Sequence, residues 1–448
     1  MSIQANLEQL ARQEIQERNL INHYLPFRQQ RNKPADYDFD AIAGDLLSSA
    51  LGIKLKSNCS LESFVERARS RINAKLSDNS IDEIIDQMYF DGSEQSGLFK
   101  VSPEFLLFKA ASAEVGANKH ICRLFRSFLS GRQEMIPQVK ADVNFLEAEL
   151  LAELQNNIDS HALSSTEAPY LPFLAELFSK DLNFLCQNPN YLLQNTRAFI
   201  GLYTFLYSAQ LALNINSWDS RPDTRPLYFI LDTERASGER KYVRESYPWL
   251  KDKVADLFPI LSVLEYFNQI QEKNAPRYPL WRFVEHLKTA MPAEQSAGIT
   301  AMQAFAKNYC VRRGLDIPEL LPESAVGMVR LLTNSAHEIF SKRGSSQFTV
   351  NSRVVNAFEN EIAKHFVQSR GRSGRVLIIN QDYLLLLTNL AVGELEQLQF
   401  QQLLGAFKSR GIWFDRQSEQ ALISFYERVG NVERMSDSGD AVYVRKTL

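Results

Sequence analysis

Pro222-Asp223 followed by Glu239-Arg240-Lys241 spells a PD…ExK string. In nucleases of that pattern the two acids hold a divalent cation, and the lysine positions or activates the attacking water. The acids belong on adjacent strands, yet Asp223 sits in a turn-rich break, SWDSRPDTRP. Asp232 and Glu234, just after the apolar run LYFIL, are further acids that could hold a metal or cap a turn. A short string in a chain with 53 acids needs structural context to count. A divalent-metal nuclease using Asp223, Glu239 and Lys241 is therefore carried as the alternative reading.

Other catalytic patterns fail more plainly. There is no GxxxxGK[ST] loop and no GxGxxG, which argues against nucleotide hydrolysis by this chain. His286-Leu287-Lys288 begins an HxK motif, but Ala293 stands where the aspartate belongs. The six histidines form no HExxH or His/Cys ligand spacing, so no metal and no cofactor is expected. Cys59, Cys122, Cys186 and Cys310 form no CxxC pair, as suits a reducing compartment.

Binding chemistry is more legible than catalysis. Between Phe340 and Arg375 stand Lys342, Arg343, Arg353, Lys364, Arg370, Arg372 and Arg375, against only Glu359 and Glu361. The glycines and serines around Arg370, Arg372 and Arg375 suggest a mobile basic loop for sequence-independent phosphate contact. A solvated interdomain linker is the plainer reading. Further on, Arg416, Gln420, Ser424 and Arg428 recur every four residues, with Gln417 beside the first. Arg and Gln can bond bidentately to guanine and adenine edges, and Ser can bond phosphate or base. Arg445 and Lys446 near the end could grip backbone. Glu419 and Glu427 on the same helix repel phosphate and favour a protein-binding or architectural role instead.

These residues must be positioned by a mostly helical chain. Ser60 to Leu76 and Ala141 to Ile158 carry apolar residues at helical spacing, and Ser80 with Glu83 spells a capping box. Tyr191 to Asn214 is apolar on more than one face, so it belongs in the middle of a bundle. Leu227 to Leu231 has strand composition, and Lys241 to Val243 is a possible partner strand, which predicts a small hairpin. A helix is predicted over Ser352 to Val367. Val376 to Ile379 reads as a strand, and Asn380 caps a helix that stops at Gly393. A second helix ends at Gly411, Ile412 to Phe414 is strand-like, and Asp415 caps a third helix with Leu422, Phe425, Tyr426 and Val429 as its stripe. The tail VERMSDSGDAVYVR is a hairpin signal around Asp-Ser-Gly-Asp.

The expected fold is mainly α, a multidomain helical body with a small β-hairpin insertion and a C-terminal winged helix-turn-helix. The expected divisions are 1–216, 217–340, 341–375 and 376–448. Composition agrees with a globular chain: 448 residues, 45% hydrophobic and 23% charged, with formal net charge −3, so nucleic-acid contact must come from a local patch. The first twenty residues lack the apolar core of a secretory signal. The run Ala198 to Leu213 is too short for a bilayer and contains Gln210, so no membrane contact and a cytoplasmic location are expected.

QDYLLLLTNLAVG, FQQLLGAFKSRGIWFD and above all the tail VERMSDSGDAVYVRKTL resemble the DptG (DndG) family of DNA phosphorothioation-dependent restriction proteins. The resemblance covers under a quarter of the chain. It implies a subunit of an anti-phage complex with an ATPase and a helicase-like partner, acting on DNA that lacks the phosphorothioate mark. It carries over no catalytic motif. The resulting expectation is a non-catalytic scaffold that bridges those partners and duplex DNA. A stand-alone winged-helix transcription regulator is a third reading.

Overall fold

The chain's most apolar run becomes the 26-residue helix Pro189–Asn214, with every residue from Leu202 to Asn214 buried. The structure is a computed structural model that describes all residues except 1–2, 20, 29–34, 77–81, 92–96, 133–138, 140–142, 164, 270–274 and 436–440. From Leu202 onward the helix is buried all round because other elements cover each side of it. Phe178 packs its ring on Phe125, Phe199 and Tyr203 at centroid separations of 5.0, 5.3 and 4.9 Å. Gln210 is tolerated inside because its amide pairs with the backbone of Arg225, donating to the carbonyl at 2.8 Å and accepting from the N–H at 2.9 Å.

The rest of the body is mainly helical, as expected. Leu61–Asn73 starts on the Ser60 cap and packs with Phe145–Asn156 around Phe64, Leu150 and Leu154. A two-stranded ribbon, β1 (Ile53–Leu55) with β2 (Ile158–Ser160), closes that layer. The Ser80 half of the predicted capping box lies outside the described residues. Leu257–Phe267, Pro292–Arg313 and Ala325–Ser341 form a further helical layer. No described helix is long and apolar enough to cross a membrane.

The predicted hairpin is absent. β3 (Leu227–Leu231) pairs instead with β5 (Arg375–Ile379) and β7 (Ile412–Phe414), parallel to both. Lys241 opens a helix, Lys241–Val254, whose Val243, Tyr247, Leu250 and Val254 are buried. β4 (Val367–Ser369) adds antiparallel to β5, giving the order β4-β5-β3-β7. Leu227, Phe229 and Leu231 join the main core, whereas Ile230, Val376 and Ile378 pack with Val243 on the other face. A strand from the middle of the chain is thus the central strand between two strands from its end. The expected divisions at 340/341 and 375/376 run through one hydrogen-bonded sheet.

The basic stretch before β5 is likewise no loose linker. Its helix ends early, at Ala357, and continues as one π-helical turn, Phe358–Ile362. The segment 368–375 is the β4–β5 hairpin, closed by the 3₁₀ turn Gly371–Ser373.

After β5 come helix Gln381–Val392, β6 (Gln397–Gln399), helix Phe400–Lys408, β7, helix Arg416–Val429, β8 (Val432–Met435) and β9 (Ala441–Arg445). Asn380 and Asp415 cap their helices as read, and Gly411 takes φ +85°. β6, β9 and β8 form a separate antiparallel sheet in that order. The Asp-Ser-Gly-Asp turn between β8 and β9 lies outside the described residues.

One buried base sets an acid limit on this body. His120 is 5% exposed, and burial, helped by the Arg28 and Arg123 guanidinium groups, pushes its imidazole down to about 3. A neutral buried histidine stabilises the fold fully above its unfolded value of 6.5, and that contribution drains away as pH falls below it. Between pH 6.5 and about 4, His120→Gln should therefore flatten the stability slope by up to about 1.4 kcal/mol per pH unit. Denaturant titrations at four or five pH values check it; parallel curves for both proteins would refute it.

Candidate nucleic-acid interface

Helix Arg416–Val429 buries Ser418, Leu422, Phe425 and Tyr426 and turns its other side outward. On that side Arg416, Gln417, Gln420, Ser424 and Arg428 are all exposed. None of the first four has a hydrogen-bonding or ionic partner among the described residues, and the Arg428 guanidinium lies over the Phe425 ring at 5.7 Å. Glu427 is exposed on the same helix and Glu419 half-buried. The face offers five polar side chains, two of them cationic, with two acids beside them.

The start of this helix is pinned by a network that the sequence did not suggest. Arg240, 6% exposed, donates to both Asp415 oxygens at 2.6 and 2.7 Å, to Glu234 at 2.9 Å and to the Ser418 hydroxyl at 2.5 Å. Ser418 in turn donates to Glu234 at 2.8 Å. Burial works against the Asp415 carboxylate, but Arg240 and the Ser418 N–H outweigh it and hold the group below its ordinary value. In the sequence Arg240 stands out only as the middle letter of the nuclease string.

That string does not assemble. Asp223 precedes β3 and Glu239 follows it, so the strand, roughly 15 Å of chain, separates the two acids. The Asp223 side chain accepts from the Thr224 N–H at 2.7 Å, while Glu239 is exposed and Lys241 sits 4.0 Å from Glu245. Glu234 is taken up by Arg240 and Ser418. No trio of His, Cys, Asp or Glu side chains among the described residues is placed to hold a metal ion.

The other basic residues divide in two. Lys342 and Arg343 are exposed just past helix Ala325–Ser341, and Arg372 is exposed without a partner among the described residues. Arg370 donates to the Asp232 carbonyl, and Arg375 pairs with Glu359, which Lys251 also reaches at 2.9 Å. Arg445 pairs with Glu433. Lys446 donates to the Gly393 carbonyl at 3.2 Å and lies 5.9 Å from the Phe184 ring centre. Those four cations have partners within the fold; among the described residues Lys342, Arg343, Arg353, Arg372 and Arg416 are exposed without a partner, and Arg428 meets the Phe425 ring.

No protein-family model matches the chain, and no curated protein matches it in sequence.

Proposed function

We propose that residues 381–445 form a winged helix-turn-helix that holds duplex DNA against the outward face of helix Arg416–Val429. One observation carries the reading: three helices interleaved with a three-stranded sheet ordered β6-β9-β8, the last two strands being a hairpin after the third helix. In that arrangement the third helix enters the major groove and the hairpin lies beside it. Its outward face presents Arg416, Gln417, Gln420 and Ser424, without partners among the described residues, and Arg428, which lies over Phe425, to read bases or bind phosphate. Lys342, Arg343 and Arg372 add free positive charge elsewhere on the surface.

The resemblance to the DptG family extends this to a cytoplasmic, non-catalytic subunit of a phosphorothioation-dependent restriction complex. In that role the chain bridges DNA to ATPase and helicase-like partners, which do the work on unmodified DNA. Glu419 and Glu427 support a second reading, in which the same face docks an acid-tolerant protein partner.

The test is duplex binding by the full chain, because a fragment starting at residue 340 would lack β3 and Arg240. Anisotropy of a labelled duplex should weaken steeply between 50 and 200 mM salt, with a log–log slope of about −0.9 per phosphate contacted. Arg416→Ala with Arg428→Ala should lower affinity about tenfold or more and reduce that slope by about two. Absence of binding at low salt, or binding indifferent to both substitutions, would transfer the face to a protein partner.

A further inference from the structure

Three aromatic rings form a continuous row at the edge of the β4-β5-β3-β7 sheet. Tyr228 on β3 and Trp413 on β7 are register partners, so both point to the face away from Ile412 and Phe414. Their ring centres are 6.0 Å apart. Helix Lys241–Val254 packs over β3 and β5, and its Tyr242 stacks on Tyr228 at 5.1 Å with the planes 22° apart. Trp413, on the outermost strand, stays half-exposed.

The row ends in an open ring. Tyr242 is 65% exposed although one of its faces lies on Tyr228, so the other face looks into solvent. Trp249, two turns further along the helix, is exposed as well. Large rings left in water forgo burial that would stabilise the fold, and a grouped set of them marks a contact surface. The open ring is also held ready. Tyr228 backs it, and the Ser246 hydroxyl accepts the Tyr228 N–H at 2.9 Å, which fixes the helix to the strand. Little side-chain freedom is then lost on binding.

Each end of the row carries a lysine. The Lys408 ammonium lies 5.1 Å from the Trp413 ring centre and has no acidic partner among the described residues. Lys241 adjoins Tyr242 in sequence and reaches only Glu245, at 4.0 Å, with both side chains exposed. Asp415, the acid whose charge is felt at Tyr228, is taken up by Arg240.

We propose that this row binds single-stranded nucleic acid. One base stacks on the open face of Tyr242, with phosphates at Lys241 and, roughly two nucleotides along, at Lys408. The base continues the Trp413–Tyr228–Tyr242 series by one ring and needs no particular sequence, because every base has a π-face. A proline-rich peptide or a neutral sugar would use the rings and leave both lysines idle. The inference does not rest on the duplex reading, since none of these residues belongs to the outward face of helix Arg416–Val429.

Anisotropy of labelled oligo(dT) and oligo(rU), about twelve nucleotides long, tests it on the full chain at about 50 mM salt. At least one should bind with Kd below about 100 μM. Tyr242→Ala should weaken that binding at least about fivefold, whereas Tyr242→Phe should stay within about twofold, because stacking needs the ring and not the hydroxyl. Lys408→Ala should reduce the log–log salt slope by about 0.7. Tyr242 is exposed, so its variants report without rebuilding the core. Duplex binding should survive Tyr242→Ala, and oligonucleotide binding should survive Arg416→Ala with Arg428→Ala, so each reading can fail alone. Failure of both strands to bind overturns the proposal, as does binding that Tyr242→Ala leaves unchanged.

Discussion

Arg410→Ala should lower the unfolding free energy by about 3–5 kcal/mol, among the largest losses any single substitution in this chain would cause. Arg410 and Asp181 are 3% and 0% exposed and meet through two bonds, Nη2 to Oδ1 at 2.5 Å and Nε to Oδ2 at 3.1 Å. The Tyr203 hydroxyl donates to the same carboxylate at 2.5 Å, and Arg410 also reaches the Ala406 carbonyl at 2.8 Å. The pair therefore ties helix Pro172–Gln187 and helix Pro189–Asn214 to the turn that leads into β7. Alanine would leave a carboxylate in the core with Tyr203 as its remaining donor. Burial by itself drives the Asp181 carboxyl upward, so the variant would take up a proton there on folding. Its deficit should accordingly grow as pH rises through that raised value. Replacing both partners together, Asp181→Leu with Arg410→Met, should recover most of the loss, because apolar side chains of similar size need no counter-charge. Guanidinium titration followed by circular dichroism checks each step. A single variant within 1 kcal/mol of the parent would mean that water reaches the pair.

The same residues show what sequence could and could not reveal. Local signals were read well: Asn380 and Asp415 accept from the third N–H of their helices, and Gly411 is left-handed. Gly411 is doubly constrained, since a side chain there would also meet the Gln210 amide at 2.2 Å. Long-range pairing was not legible. LYFIL and VLII are continuous apolar runs rather than alternating ones, the mark of strands buried on both faces in a parallel sheet. Nothing within ten residues of either names its partner, more than a hundred residues away. Lys241–Val243, following the turn-rich DTERASGER, reads as a partner strand for LYFIL, yet it is the first turn of a helix. The spacing Val243, Tyr247, Leu250, Val254 was helical throughout, and its burial on β3 and β5 offsets the hydrogen bond that Pro248 removes.

Charge was misjudged for a related reason. Counting cations over 340–375 identified an excess, but a count does not say which cations already have partners. Arg370 and Arg375 face a backbone carbonyl and Glu359, whereas the period-four row on the last long helix faces solvent. Helical periodicity assigns a face, so the row was readable. A loop has no period, so the partners of its arginines were not.

Arg240→Ala is the substitution expected to couple stability to the outer face. Without the guanidinium, Glu234 and Asp415 would surround Ser418 with no cation among them, at a cost of about 2–5 kcal/mol. Asp415 is also the N-cap of helix Arg416–Val429, accepting from the Ser418 N–H at 3.0 Å. Repulsion between the two carboxylates would be relieved by turning Asp415 away, which frees the first turn that carries Arg416 and Gln417. Duplex affinity should then fall about tenfold or more although no DNA-facing side chain has changed. Arg240→Lys should rescue little, since one ammonium cannot fork onto two carboxylates and a hydroxyl. The pH dependence separates this from a general loss of packing. In the parent, the depressed Asp415 carboxyl stabilises the fold fully above its unfolded value of 3.8, and that part is lost as pH falls through the lower folded value. In Arg240→Ala that acid-labile part should vanish, so the two proteins converge in stability as pH falls below about 4. Denaturant midpoints at pH 7, 5 and 3.5, beside anisotropy at pH 7, measure both effects. Unchanged duplex affinity in a variant that has lost several kcal/mol would show that the buried network holds the sheet without setting the helix.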